Sequence, residues 1–170
     1  MSNNVFVAEF LRYRRLAEGA LAQVQDGDFG RPLGAESNSI AVLVGHLSGN
    51  MRSRFTDFLT SDGEKPWRER DSEFEDPGLD RAEVMEGWDA AWQILLREVG
   101  ELSGADLEGS VTIRGKQLTV GAALARSSCH LAYHVGQIVS LAQHWAGSAW
   151  VSLSIPRGQS DDYNRNPTLE

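Results

Sequence analysis

The segment TVGAALARSSCHLAYHVGQIVSLAQHWAG, residues 119–147, constrains the architecture more than any other part of the chain. Its apolar residues recur every three or four positions, which predicts a helix that begins at Thr119 or Val120 and continues to about Trp145. Arg126 carries the only formal charge in the segment. A helix with so little charge is buried on more than one side, either at the centre of a bundle or in a subunit interface.

Three further segments have the same helical periodicity. The second of them follows Ser37-Asn-Ser39, whose side-chain oxygens can cap a helix, and the third follows a capping-box pattern of Asp80 and Glu83. The segments cover residues 6–24, stopping near Gly27, residues 40 to about 60, and residues 84–102, ending at Gly104. These patterns predict three more amphipathic helices.

A short β-hairpin is predicted before the last helix. Val111-Thr-Ile113 and Leu118-Thr-Val120 alternate in polarity and flank the turn-forming residues Arg-Gly-Lys-Gln. The chain has no internal repeat and is of a length typical of one domain. We therefore predict a single all-α domain over residues 1–170, a four-helix bundle with long crossover loops and a small hairpin.

The composition excludes several classes of function. The chain has 170 residues with 16 Lys and Arg against 24 Asp and Glu, a net charge of −8, so it lacks the basic surface that nucleic acids and anionic lipids require. No window reaches the roughly 18 apolar residues of a membrane span, and no basic and apolar leader opens the chain. A single cysteine, Cys129, rules out an internal disulfide. We therefore expect a cytoplasmic protein that binds neither nucleic acid nor membrane.

Most of the negative charge lies in one crossover. Residues 62–86 contain ten acidic and four basic side chains, and 4 − 10 gives −6 of the total −8. Pro66, Pro77 and Gly78 interrupt the segment, which predicts a long surface loop with solvated carboxylates. Trp67 and Phe74 in this loop could cover a site as a lid, or Trp67 could anchor the loop to the bundle.

All four histidines lie in the two helices that carry almost no charge, and three of them can face one another, since His144 lies off the face of the other two on its helix. His130 and His134 are four residues apart and therefore share one helix face, and His46 can approach them from the second helix. Three imidazoles around one divalent ion leave a coordination position open, as in catalytic zinc sites. The alternative is that no metal binds: His130 and His134 are then four residues apart by chance, and His46 is a core histidine with hydrogen-bond partners in the protein. Neither helix offers these rings a carboxylate within one turn, which favours a shared ion.

The segment CHLAYHVGQI, residues 129–138, resembles the His-x-x-x-His-x-Gly-Gln-Ile signature of the DinB/YfiT-like superfamily of metalloenzymes. Gly45-His46-Leu47, followed by Gly49 and Asn50, resembles the histidine of its second helix, and residues 62–74 and 154–160 resemble one uncharacterised subfamily. The resemblance implies a dimeric four-helix bundle that holds a divalent metal between His46, His130 and His134. It also implies chemistry related to that of thiol transferases and isomerases that use a low-molecular-weight thiol.

Three other polar residues are candidates for substrate binding. Asn50 and Arg54 follow His46 at helical spacing, so Asn50 could orient a water or a histidine and Arg54 could pair with a substrate carboxylate. Arg54 could equally neutralise acidic residues of the 62–76 loop. Arg126 precedes His130 by one turn, and a charge kept in so apolar a helix needs a partner in the protein or the substrate. We do not expect Cys129 to be a nucleophile, because it points away from His130 and cysteines are usually buried.

The functional hypothesis is a divalent-metal-dependent enzyme, with zinc or nickel as the ion. In this hypothesis His46, His130 and His134 bind the ion, and the site activates water or a low-molecular-weight thiol for transfer or hydrolysis on a small substrate. The alternative is a non-catalytic metal-binding bundle in which the ion only joins two helices. A third hypothesis is a bundle with no metal. A homodimer is expected in each case.

Overall fold

Six α-helices and one β-hairpin make up the regular structure of the described chain. The computed structural model describes residues 5–75 and 78–167, so Asp76 and Pro77 of the acidic segment lie outside the described residues. The elements are α1 (Val5–Leu21), α2 (Asp26–Phe29), α3 (Ile40–Phe55), α4 (Arg81–Gly100), β1 (Ser110–Ile113), β2 (Lys116–Thr119), α5 (Val120–Ala146) and α6 (Ser160–Arg165). The chain is mostly helical, as predicted.

The helix starts agree with the capping signals of the sequence. Ser39 caps α3 by accepting a hydrogen bond from the backbone N of Val42 at 3.2 Å. Asp80 and Glu83 form a complete capping box at the start of α4. Thr119 caps α5 in the same way as Ser39 caps α3. These local hydrogen bonds explain why the starts could be predicted closely.

The helix ends differ from the prediction in two places. The helix expected over residues 40–60 ends at Phe55, because the chain turns there and Asp57 adopts a φ of 50°, which a helix cannot accommodate. The first helix ends at Leu21 rather than near Gly27, and the short helix α2 follows it. Helices α2 and α6 were not predicted, because each is too short to have a clear periodicity.

One apolar core joins the four long helices. Helix α3 packs against α4 and α5, and α1 packs against α5. Trp88 and Trp92 of α4 form an edge-to-face pair in this core, and Phe10 of α1 meets Phe55 of α3 in the same arrangement. Helix α5 is less buried than its composition suggests, since a face that includes Cys129 and Tyr133 is exposed.

The β-hairpin is present as predicted, with a tighter turn. Its two strands are antiparallel and connected by Arg114 and Gly115, both at positive φ (53° and 71°), which matches a two-residue type I′ turn. The carboxylate of Asp62 accepts hydrogen bonds from both backbone N atoms of this turn, each at 2.8 Å. The start of the acidic segment is therefore fixed against the hairpin.

Among the described residues, no helix has both the length and the apolar character that crossing a membrane requires.

Candidate metal centre

Helices α3 and α5 bring the three predicted histidines together. His46 lies on α3, His130 and His134 lie on α5, and one ligand atom from each lies within 4.8 Å of the others. The Nε2 atoms of His46 and His130 are 3.2 Å apart. Two nitrogens that bind one tetrahedral zinc ion at about 2.0–2.1 Å are separated by about 3.3 Å. The three rings are thus close enough to hold one ion.

A carboxylate from the acidic segment fixes the orientation of His46. The segment forms a 3₁₀ turn over Asp71–Phe74, and Glu73 in this turn accepts a hydrogen bond from Nδ1 of His46 at 2.8 Å. Because a carboxylate accepts and does not donate, Nδ1 carries the proton, and in the neutral ring Nε2 is then the nitrogen with the free lone pair. A carboxylate behind a histidine in this way is the usual support of a metal ligand.

Arg68 holds the same carboxylate from the other side. Its Nε and Nη2 donate to the two oxygens of Glu73, both at 2.8 Å, and its side chain is almost completely buried. Burial raises the pKa of Glu73, but the hydrogen bonds from Arg68 and His46 outweigh this effect and leave the pKa below its ordinary value. Glu73 therefore remains an anion beneath His46.

Two further residues make room for this contact and cover it. Gly49 of α3 lies where Glu73 reaches the helix, and a Cβ at this position would collide with Oε1 of Glu73 and lie 2.9 Å from its Cδ. The ring of Phe74 lies 4.5 Å from that of His46, centroid to centroid. Phe74 thus covers the site, whereas Trp67 is half-exposed and lies near Arg52.

The other two histidines are also held with their lone pairs available. Oε1 of Gln137 accepts a hydrogen bond from Nδ1 of His134 at 2.7 Å, which leaves Nε2 of His134 as the free nitrogen. Burial, together with a smaller effect of the neighbouring His134 and His46, lowers the pKa of His130 to about 4. Burial also lowers the pKa of His134, although its hydrogen bond with Gln137 acts in the opposite direction. The lowered pKa values of both rings favour neutral imidazoles, the form that binds metal.

The predicted substrate residues lie beside this cluster. Asn50, Arg54 and Arg126 line one cavity of about 200 Å³ together with His46 and His130. Arg54 is buried and makes no ion pair with the acidic segment among the described residues, so its predicted role in neutralising that loop is not observed. Arg126 is exposed at the edge of the cavity.

Sequence reasoning missed Glu73 and Arg68. Both belong to the segment that was interpreted as a solvated loop, and the search for carboxylates was confined to the histidines' own helices. The available signal was the presence of Phe74 and Trp67 in a charged segment, which predicts that part of it packs against the bundle. The expected burial of Cys129 is wrong, since the residue is exposed.

The fold and the site together define a helical protein with a three-histidine cluster that can hold a metal ion. The chain matches the model of the family described as "Protein of unknown function (DUF1572)" over residues 3–159. It therefore belongs to this DUF1572 family, whose description assigns no activity. No curated protein and no solved structure matches the chain significantly.

The role of Glu73 can be tested by filling the space at Gly49. We expect Gly49→Ala to displace the Glu73 carboxylate and weaken divalent-metal binding by roughly 10- to 100-fold, the usual effect of losing the partner behind a ligating histidine. The measurement is a competition titration against a chromophoric chelator.

Gly45→Ala provides the matched control. Gly45 lies on the same helix, and a Cβ there would meet no atom within 4 Å, so both variants gain the same helix propensity. Equal metal affinities of the two variants would show that Glu73 does not support the site.

The protonation of His130 predicts how stability depends on pH. In metal-free protein the pKa of His130 is about 4 in the folded state and 6.5 in the unfolded state. Between these two pH values the unfolded chain therefore binds a proton at His130 that the folded chain does not bind. Stability is therefore lost as the pH falls from about 6.5 towards 4. The free energy of unfolding, measured by urea titration with a chelator present, should decrease by about 2 kcal/mol between pH 7 and pH 5 on account of His130.

The variant His130→Gln should show a flatter pH dependence than the parent protein. His144→Gln is the control, because His144 is exposed on the same helix and lies outside the cluster. If His130→Gln loses as much stability as the parent protein over this range, the low pKa of His130 is wrong.

Proposed function

We propose that this protein is a divalent-metal-dependent enzyme that acts on a small molecule, built on the four-helix bundle of the DinB/YfiT-like superfamily. The observation that carries the proposal is the cluster of His46, His130 and His134, whose ligand atoms lie within 4.8 Å of one another. Two of the rings have Nδ1 fixed by acceptors, Glu73 and Gln137, so that Nε2 is the nitrogen offered to an ion.

The donor set is that of a catalytic site more than a structural one. Among the described residues the cluster holds three histidines and no fourth His, Cys, Asp or Glu ligand. Structural zinc sites are closed by four protein ligands, whereas catalytic sites keep a position open. A divalent ion bound here, with zinc or nickel proposed, would lower the pKa of a water or a low-molecular-weight thiol that reaches it.

The chain's own residues supply orientation and binding. Glu73 and Arg68 hold His46 in place, and Phe74 shields its ring from solvent. Asn50 and Arg126 lie in the cavity beside the histidines, where they would contact a bound substrate. The proposed partners are thus a small substrate and a thiol, as the superfamily resemblance implies.

A second candidate is a metal-binding protein in which the ion is structural. It is favoured by one observation: the cluster connects α3 to α5 and, through Glu73, to the acidic segment. The two candidates differ in what metal removal does, because a structural ion contributes strongly to folding. Chelation that lowers the melting temperature by only a few degrees and leaves the fold intact supports the enzyme.

A homodimer and a cytoplasmic location belong to the same proposal. The exposed face of α5 carries one charge, that of Arg126, and its other residues are uncharged, as expected of a subunit interface. Its uncharged residues are Ala122, Ala125, Cys129, Tyr133, Gly136 and Ser140. The lack of an internal disulfide supports a reducing compartment.

The proposal is tested by measuring the metal content of protein purified without a histidine tag or added metal. We expect about one divalent ion per chain by elemental analysis, and its loss in His46→Ala and His134→Ala, since two imidazoles bind far more weakly than three. His144→Ala is the matched control and should keep the ion. A chain that carries no stoichiometric metal, or a His46→Ala variant that binds it unchanged, would refute the proposal.

A further inference from the structure

The cavity beside the histidines is lined by five arginines, and we call it the arginine cavity. They converge from separate parts of the chain: α3, the acidic segment, the hairpin turn and α5. The arginines are Arg54, Arg68, Arg70, Arg114 and Arg126. The chain has a net charge of −8, so a cavity of about 200 Å³ lined by five arginines has the opposite sign of charge to the protein as a whole.

Three of these arginines have carboxylate partners. Arg68 is paired with Glu73. Oε2 of Glu64 lies 3.1 Å from Nε of Arg114 and 3.6 Å from Nη1 of Arg68. Arg70 lies 3.7 Å from the carboxylate of Asp71, but that side chain is fully exposed and the pair is weak.

The other two, Arg54 and Arg126, have no such partner within the described part of the chain. Neither has a carboxylate within 4.0 Å, and neither guanidinium donates a hydrogen bond there. The cavity therefore has two guanidiniums that no carboxylate of the described chain contacts directly.

Arg54 is the most informative of the five. Its side chain is 8% exposed, and its Nη1 is buried without a hydrogen-bond partner among the described residues. Gly63 leaves room for it, because a Cβ there would lie 3.0 Å from Nη1. Burial lowers the pKa of Arg54; the carboxylate of Glu64 acts against this shift, and the neighbouring arginines add to it. A buried cation that no carboxylate contacts directly destabilises a fold, so its presence indicates a charged ligand.

The hairpin turn places Arg114 at the rim of the same cavity. Its φ of 53° is the value that a type I′ turn requires, and Asp62 holds the turn through the backbone N of Arg114.

We propose that the arginine cavity binds the phosphoryl group of a small phosphomonoester, the substrate of the histidine site. A carboxylate is planar and is satisfied by one guanidinium, whereas a phosphoryl dianion accepts hydrogen bonds from several directions and matches two guanidiniums that lack a direct carboxylate contact. The cavity is smaller than the 300–1,000 Å³ typical of drug-sized ligands, which limits the substrate to a few atoms beyond this group. The assignment of the anion to a substrate rests on the proposed enzymatic function.

The test is a calorimetric titration of the purified protein with three probes at matched ionic strength: inorganic phosphate, methyl phosphate and succinate. We expect both phosphates to bind, and succinate to bind at least about 10-fold more weakly. Binding of inorganic phosphate without binding of methyl phosphate would mean a site for the free ion. Equally tight binding of succinate would mean a carboxylate site. Either result overturns the proposal.

Two variants test the arginines themselves. Arg126→Gln should weaken the binding of methyl phosphate by roughly 10-fold or more, the loss of one charged hydrogen bond. Arg54→Met should abolish binding and at the same time raise the melting temperature, because it removes an unpaired buried charge. Arg97→Gln, an exposed arginine on α4 that does not line the cavity, is the control and should bind normally.

The outcomes separate this proposal from the metal proposal. Metal content is measured on every variant, and we expect it to be unchanged in Arg126→Gln and Arg54→Met. If the purified chain holds no metal but binds phosphate through these arginines, the anion-site proposal stands and the enzyme proposal is refuted. If the protein holds stoichiometric metal but Arg126→Gln and Arg54→Met leave the binding of methyl phosphate unchanged, the metal proposal stands and the anion-site proposal is refuted.

Discussion

The carboxylate of Glu73, held between Arg68 and Nδ1 of His46, is the interaction on which the site depends. Its side chain is 11% exposed, it accepts hydrogen bonds at 2.8 Å from both partners, and it joins the acidic segment to helix α3. Without it, Nδ1 of His46 would have no acceptor, and the ring would no longer be held in the orientation that offers Nε2 to an ion. The contact also explains why α3 has a glycine at position 49, since a side chain there would collide with the carboxylate.

The distribution of charge acquires a different meaning once this contact is known. The acidic segment accounts for most of the net charge, and most of its described carboxylates are exposed as expected, but two of them attach it to the rest of the fold. Asp62 fixes it to the hairpin turn, and Glu73 fixes it to the histidine cluster. Between these two points it contributes Arg68 and Arg70 to the same cavity. The segment therefore closes one side of the site and brings positive as well as negative groups to it.

The parts of the structure that depend on neighbours in sequence could be predicted, and those that depend on distant contacts could not. The starts of α3, α4 and α5 follow from Ser39, Asp80 and Thr119, because a cap involves residues three positions apart. His130 and His134 follow from helical spacing. Glu73 lies 27 residues from His46, and their contact depends on how a loop folds. The early end of α3 depends on the backbone of Asp57, whose positive φ leaves no periodic signal. The sequence indicates a role for the charge of Arg126, but the other four arginines of the cavity lie in three other parts of the chain, and only the fold brings them together.

The central claim is that three imidazoles from α3 and α5 bind one ion and leave room for a ligand. X-ray absorption at the metal edge, on protein purified without a tag or added metal, tests it most directly. After dialysis to remove small thiols, the account predicts nitrogen or oxygen neighbours at about 2.0–2.1 Å, with the multiple scattering of three imidazoles and no sulfur. A sulfur neighbour at about 2.3 Å in thiol-free protein, which would have to come from the chain, or a spectrum with fewer than three imidazoles, would contradict it.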